Sequence, residues 1–180
     1  MPYNHPFTKD SADVVLRSSD GSDFRVHKLV LSEASCVFEG MFSLPQSSDT
    51  SDRQTPGAVV VVPESSRTLD LLLRHCYPMS RPTLTDLQEV ITLLESMKKY
   101  AMDDTAEEVR NVLLQDRFSR TIEDAFAVYA AIWRLEIKQS LGISARATFR
   151  FRLPTFASPI LQSMSPASIF ALLEFRGRCV

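Results

Sequence analysis

Glycine is scarce in this chain, with five in 180 residues. No P-loop, no G-x-G-x-x-G fingerprint and no G-x-S-x-G nucleophile elbow occurs among them, so phosphate cradles and elbow hydrolases are excluded. Cysteine is almost as rare: Cys36, Cys76 and Cys179 are far apart and odd in number. That pattern gives neither a disulfide framework nor a CxxC site and suits a reducing compartment. Cys36 and Cys76 are expected to pack in helices as small hydrophobes. Of three histidines, His5 falls in a start read as flexible, and His75 and Cys76 are helix neighbours that point in different directions. His27 has no nucleophile or metal partner at identifiable spacing. The sequence therefore predicts no enzyme, no catalytic residue, no cofactor and no metal site. No run of about 18 apolar residues occurs, and Met1-Pro2-Tyr3-Asn4-His5-Pro6 lacks the basic end and apolar core of a signal peptide. A soluble intracellular protein, in cytoplasm or nucleus and without a membrane partner, is expected. A net charge of −2 and a pI near 5.9 supply no global field for phosphate backbones.

Structure-forming patterns are dense between Ser11 and Phe42. Asp13-Val14-Val15-Leu16 reads as a strand, and Ser18-Ser19-Asp20-Gly21-Ser22 as a turn, because Gly tolerates positive φ and Asp bonds locally. Phe24-Arg25-Val26-His27 alternates apolar and polar side chains and forms the returning strand. From Lys28 the period becomes helical: Leu29, Val30 and Ala34 share a face, and Val37, Phe38, Met41 and Phe42 continue it.

Further along, Ser43 to Gly57 is polar and reads as a mobile loop. Ala58-Val59-Val60-Val61-Val62 has no polar side and predicts a strand buried on both faces, paired inside the sheet. Ser65 or Ser66 caps a helix with Leu69, Leu72, Leu73 and Cys76 inward and Arg67, Asp70 and Arg74 outward; Pro78 ends it. Thr83 or Thr85 starts the next helix, with Leu87, Val90, Ile91, Leu94 and Met97 on its buried face. Another runs to about Gln115. Thr121-Ile122-Glu123-Asp124 opens a helix that is apolar over a wide arc, Gly142 interrupts the pattern, and Ser165-Pro166 starts the last helix.

Several of these residues together resemble the BTB/POZ domain, a protein-interaction fold. Ser11-Ala12-Asp13-Val14 is similar to the family's opening Ser/Thr-Asp-Val, and Phe24-Arg25-Val26-His27-Lys28 to its aromatic-x-x-His-Lys/Arg step. Leu31, Ser35, Phe38, Met41 and Phe42 match its Leu-x-x-x-Ser-x-x-Phe-x-x-Met-Phe, and Lys98-Lys99-Tyr100-Ala101-Met102 a later step. Tyr77-Pro78-Met79 departs from the family's Tyr-Thr-Gly. The resemblance implies an α+β fold: a small sheet of three or more strands flanked by a cluster of helices. It covers residues 10–116, after a flexible start at 1–9 and before a helical extension at 120–180. That extension is similar to one in many uncharacterised fungal BTB proteins.

By this resemblance the chain is a non-catalytic interaction module that mediates homo- or hetero-association, with a cullin-type ubiquitin ligase scaffold as one candidate partner. The residues implied in protein contact are Asp13, Lys28, Phe38, Met41, Phe42, Leu44 and Gln46. Asp13 and Lys28 match a charged pocket at the dimer groove of family members that regulate transcription. Leu44 matches the apolar anchor of cullin adaptors, whereas Gln46 stands where Glu is preferred and removes a charge-assisted contact. Only ten residues precede Ser11, two of them prolines, so the long strand-exchanged dimer is not expected. An alternative role as a transcription-associated regulator rests on Arg146, Arg150 and Arg152 with Phe149 and Phe151, which could contact nucleic acid by charge and stacking. A solvated helix edge with its aromatics turned inward is the favoured reading of that cluster.

Overall fold

The computed structural model describes residues 3–43, 58–155 and 158–179. Two short strands come first, β1 (Val14–Arg17) and β2 (Asp23–Val26), then α1 (Lys28–Ala34), α2 (Cys36–Ser43) and β3 (Ala58–Val61). Helices follow: α3 (Ser66–Cys76), α4 (Leu87–Lys99), α5 (Asp103–Leu113), α6 (Ile122–Arg134), α7 (Lys138–Ala147), α8 (Pro159–Gln162) and α9 (Pro166–Arg178). The chain divides into two compact units, residues 1–83 with 95–106, and residues 84–94 with 107–180.

In the first unit the hairpin forms as its turn chemistry predicts. Gly21 has φ +83°, and the Ser18 N–H donates to the Ser22 carbonyl at 3.0 Å. β1 is central, pairing antiparallel with β2 and parallel with β3 in the order β2-β1-β3. Expected to be buried on both faces, β3 is an edge strand instead, with Val61 70% exposed. Its four-valine run reflects β propensity, and a parallel crossover set it outermost. The start of the chain is packed as well. Phe7 is buried, its carbonyl accepts from Arg25 N–H at 2.9 Å, and the His5 ring stacks on Phe24 at 3.9 Å. Residues 3–7 thus lie against β2, held by ring contacts that no periodicity announces.

Ser65 caps α3 by accepting from Thr68 N–H. Asp70, expected to point outward, is buried. Arg74 Nε lies 3.0 Å from its Oδ1, and the Tyr3 hydroxyl donates to Oδ2 at 3.3 Å, so the carboxylate is neutralised and satisfied where it sits. Cys36 is exposed at the start of α2, and only Cys76 is substantially covered; burial pushes the Cys76 thiol up to about 12.

The second unit has a core of Phe126, Tyr129, Ala145, Leu161, Met164 and Leu172. Thr121 caps α6 by accepting from Asp124 N–H at 3.1 Å, and Ser165 caps α9 by accepting from Ser168 N–H at 3.2 Å, both as the sequence predicts. The start of α4 differs: Asp86, rather than Thr83 or Thr85, accepts from Glu89 N–H at 2.8 Å. Gly142 does not interrupt, and α7 runs through it. Ten residues of helix tolerate one glycine at a cost of about 1 kcal/mol.

Two helices end in the same way. After α4, Met102 N–H donates to Met97 O at 2.9 Å and Ala101 N–H to Lys98 O at 3.1 Å, with Ala101 at φ 51°. After α6, Ile137 N–H donates to Ile132 O at 3.1 Å, with Glu136 at φ 61°. Both are Schellman ends whose left-handed position holds a side chain where glycine is usual. Ala101→Gly should therefore stabilise the protein by about 0.5 kcal/mol and raise Tm by about 1–2 °C, whereas Ala101→Val should lower it; differential scanning calorimetry measures both.

In the β1–β2 turn, hydroxyl bonds from Ser18 and Ser66 hold the Asp20 carboxyl down to about 2, against an ordinary 3.8. A depressed folded value contributes stability above the unfolded pKa that disappears as pH falls through the folded one. Asp20→Asn should lower the denaturation midpoint at pH 7, and the difference from the parent should close between pH 4 and pH 2 in parallel denaturant titrations.

Candidate protein-interaction surface

The surface is built on the joint between β2 and the α1–α2 pair. At the start of α1 the Asp13 carboxylate accepts from Lys28 N–H at 2.8 Å, which satisfies one of the open donors of the first turn. His27 occupies the capping position and makes no side-chain cap bond. Its N–H donates to the Tyr77 hydroxyl at 2.8 Å, its Nδ1 lies 3.2 Å from the same oxygen, and its Nε2 lies 3.1 Å from Ser11 Oγ. Both ring nitrogens are thus engaged in holding the joint. Tyr77, the last residue before the sequence leaves the family pattern at Pro78, is the residue that ties the joint to the end of α3.

Asp13 and Lys28 meet through a backbone cap, and the Lys28 ammonium lies 6.0 Å from the centre of the Phe42 ring. The charge of Lys28 thereby reaches α2, whose last turn carries Met41 and Phe42, both half-buried. Between the two helices Ser35 is extended, with φ −157°. Its hydroxyl donates to the Tyr100 carbonyl and its oxygen accepts from Phe38 N–H at 3.1 Å. That break resets the helical phase. Leu29, placed by periodicity on the inward face, is 72% exposed, and Val37 is 37% exposed.

Phe38 lies on the other side of α2. It is fully buried and stacks on Tyr100 with centroids 4.4 Å apart and planes within 7°. It supports the surface from below and presents nothing to a partner. Tyr100 is held in turn by Glu64, which accepts from the Tyr100 hydroxyl at 2.7 Å and from Lys99 Nζ at 2.6 Å. Burial, then Glu64, raises the Tyr100 pKa. Leu44 and Gln46 lie outside the described residues. Leu29 and Val37 were missed because a continuous helical wheel hides them; Ser35, a favoured capping type, was the available signal.

The basic cluster of the second unit is differently placed. Arg150 Nη1 is 2.8 Å from Asp116 Oδ1, and the half-buried Phe149 packs on Phe175 at 5.9 Å beneath the Arg176 guanidinium. Arg146 and Arg152 are exposed. Among the described residues no group of three or more His, Cys, Asp or Glu is placed to hold a metal ion, and no helix is long and apolar enough to cross a membrane.

A small mixed sheet joined to a capped helix pair with outward apolar side chains defines an α+β interaction domain. Residues 3–117 match the model of the BTB/POZ domain, and the chain belongs to that family. BTB/POZ domains are protein-interaction modules. Among solved structures the chain is similar to the BTB domain of zebrafish PATZ1, with 24% identity over 56% of this chain and 74% of that one and a TM-score of 0.43. No curated protein sequence matches the chain significantly.

The Glu64–Tyr100 bond gives a direct test of what supports the surface. Tyr100→Phe keeps the ring stack and removes one donor from a buried carboxylate, so it should cost about 1–3 kcal/mol in a urea titration.

Proposed function

We propose that the exposed side of α1 and α2 is the docking surface of this module, taking a second copy of the chain or a cullin-type scaffold. The observation that carries the reading is the exposure of Leu29 and Val37, 72% and 37%, on the two helices that the Lys28 ammonium and the Phe42 ring bring within 6.0 Å. Apolar side chains rimmed by a cation are what a protein partner desolvates on association. The contact set is then Lys28, Leu29, Val37, Met41 and Phe42, with Asp13 and Phe38 holding it in shape. Leu44 and Gln46 extend it on sequence grounds, Gln46 weakening the cullin arm. In this reading residues 10–116 carry the interaction and residues 120–180 are a helical extension. Nucleic-acid contact through Arg146 to Arg152 is less favoured, because Arg150 is paired and Phe149 is covered.

Multi-angle light scattering of the full chain should show self-association, or a purified cullin N-terminal domain should bind at micromolar concentration alongside a positive-control adaptor. Leu29→Asp should weaken whichever association occurs by at least about tenfold, since a charge placed in a desolvated patch costs several kcal/mol. A chain that stays monomeric and ignores the cullin domain, or an association indifferent to Leu29→Asp and Val37→Asp, overturns the proposal.

A further inference from the structure

The second unit carries a separate recess. It lies between α7 and α9 with α6 beneath, lined by Tyr129 and Trp133 of α6, Leu141, Gly142 and Ala145 of α7, and Ala171, Phe175 and Arg178 of α9. Three of these lining residues are small, so a partner is able to approach the helix backbones closely. Gly142 has nothing within 4 Å of the position a Cβ would take, so the recess is open there. Elsewhere on the same two helices, Ile143 and Phe170 are 58% and 73% exposed. At about 240 Å³, the groove is smaller than the roughly 300–1,000 Å³ that enclose a whole small molecule. Its size suits one or two side chains offered by a larger partner.

Charge decides the kind of partner. The chain as a whole has net charge −2, yet residues 137–180 hold Lys138, Arg146, Arg150, Arg152, Arg176 and Arg178 against the single acid Glu174. Arg178 lines the groove and makes a loose ion pair with Glu174 at 3.9 Å, with both side chains more than half exposed. Lys138 and Arg146 stand four residues either side of Gly142 on the same row of α7, both exposed. Arg150 and Arg176 are committed elsewhere, to Asp116 and to the Thr148 and Phe151 carbonyls.

We propose that this groove docks a short acidic amphipathic helix of a partner protein. Apolar side chains at i and i+4 enter between α7 and α9, and carboxylates on the flanks meet Arg178, Arg146 and Lys138. The site uses residues distinct from those of the α1–α2 surface, so either reading stands or falls alone.

The test uses the full chain and a fluorescein-labelled peptide of about 14 residues, four helical turns, with leucine at i, i+4, i+7 and i+11 and Glu or Gln elsewhere. Its control has the same composition with the leucines spread around the helix. The patterned peptide should bind at least about tenfold more tightly than the control, with an affinity that falls as salt rises. Gly142→Leu, which fills the groove, should weaken binding at least tenfold, and Arg178→Glu several-fold. Circular dichroism confirms that each variant is folded, which separates groove filling from misfolding. Equal binding of the two peptides, or unchanged affinity in both Gly142→Leu and Arg178→Glu, overturns the proposal. So does binding to phosphatidylserine vesicles with none to the peptide, which would assign the basic surface to a membrane instead.

Discussion

The arrangement of the first unit depends on Tyr100. Its ring lies flat against Phe38, its carbonyl takes the Ser35 hydroxyl, and its own hydroxyl reaches Glu64. One residue thus fixes the inner side of α2, the break between α1 and α2, and the segment that leads from β3 into α3. These bonds constrain one another. Glu64 is a buried carboxylate and is tolerable there only because Tyr100 and Lys99 both donate to it. The aromatic stack then leaves α2 a single way to face, with Phe38 inward and Val37 outward.

The same economy governs the joint at β2. A helix as short as α1 has nearly all of its backbone groups close to an end, so capping decides whether it forms. Asp13 supplies the acceptor from the start of β1, and His27 is spent on orienting the chain through Tyr77 and Ser11. The ionisable residues most conspicuous in the sequence, Asp13 and His27, are therefore structural. Polar groups hold the frame, and exposed apolar groups lie next to them.

The second unit is held differently, by one apolar cluster and by main-chain carbonyls that side chains seek out. Tyr129 donates to Ser168 O at 2.9 Å, and Arg176 donates to Thr148 O and Phe151 O. The first bond joins α6 to α9, and the Arg176 bonds stitch the short 3-10 turn after α7 to α9. They also explain why the arginines of this region are unequal: some are bound into the fold and others border the groove.

Much of both units was legible in the residues themselves. The hairpin turn, the switch from period two to helical period, the caps at Ser65, Thr121 and Ser165, and the family signature are all local features. They depend on neighbours a few residues away, and the sequence by itself determined them. Asp70 facing inward, β3 at the sheet edge, His5 stacked on Phe24 and Leu29 turned to solvent are decided by partners distant in the chain. Asp70, β3 and Leu29 differ because periodicity reports an average environment, and a salt bridge, a crossover or a helix break changes that environment at a single position; His5 differs because a ring stack leaves no periodic trace. Tertiary structure alone decided which apolar residues of α2 are buried and which stay exposed, because the packed Phe38–Tyr100 stack sets the rotation of that helix.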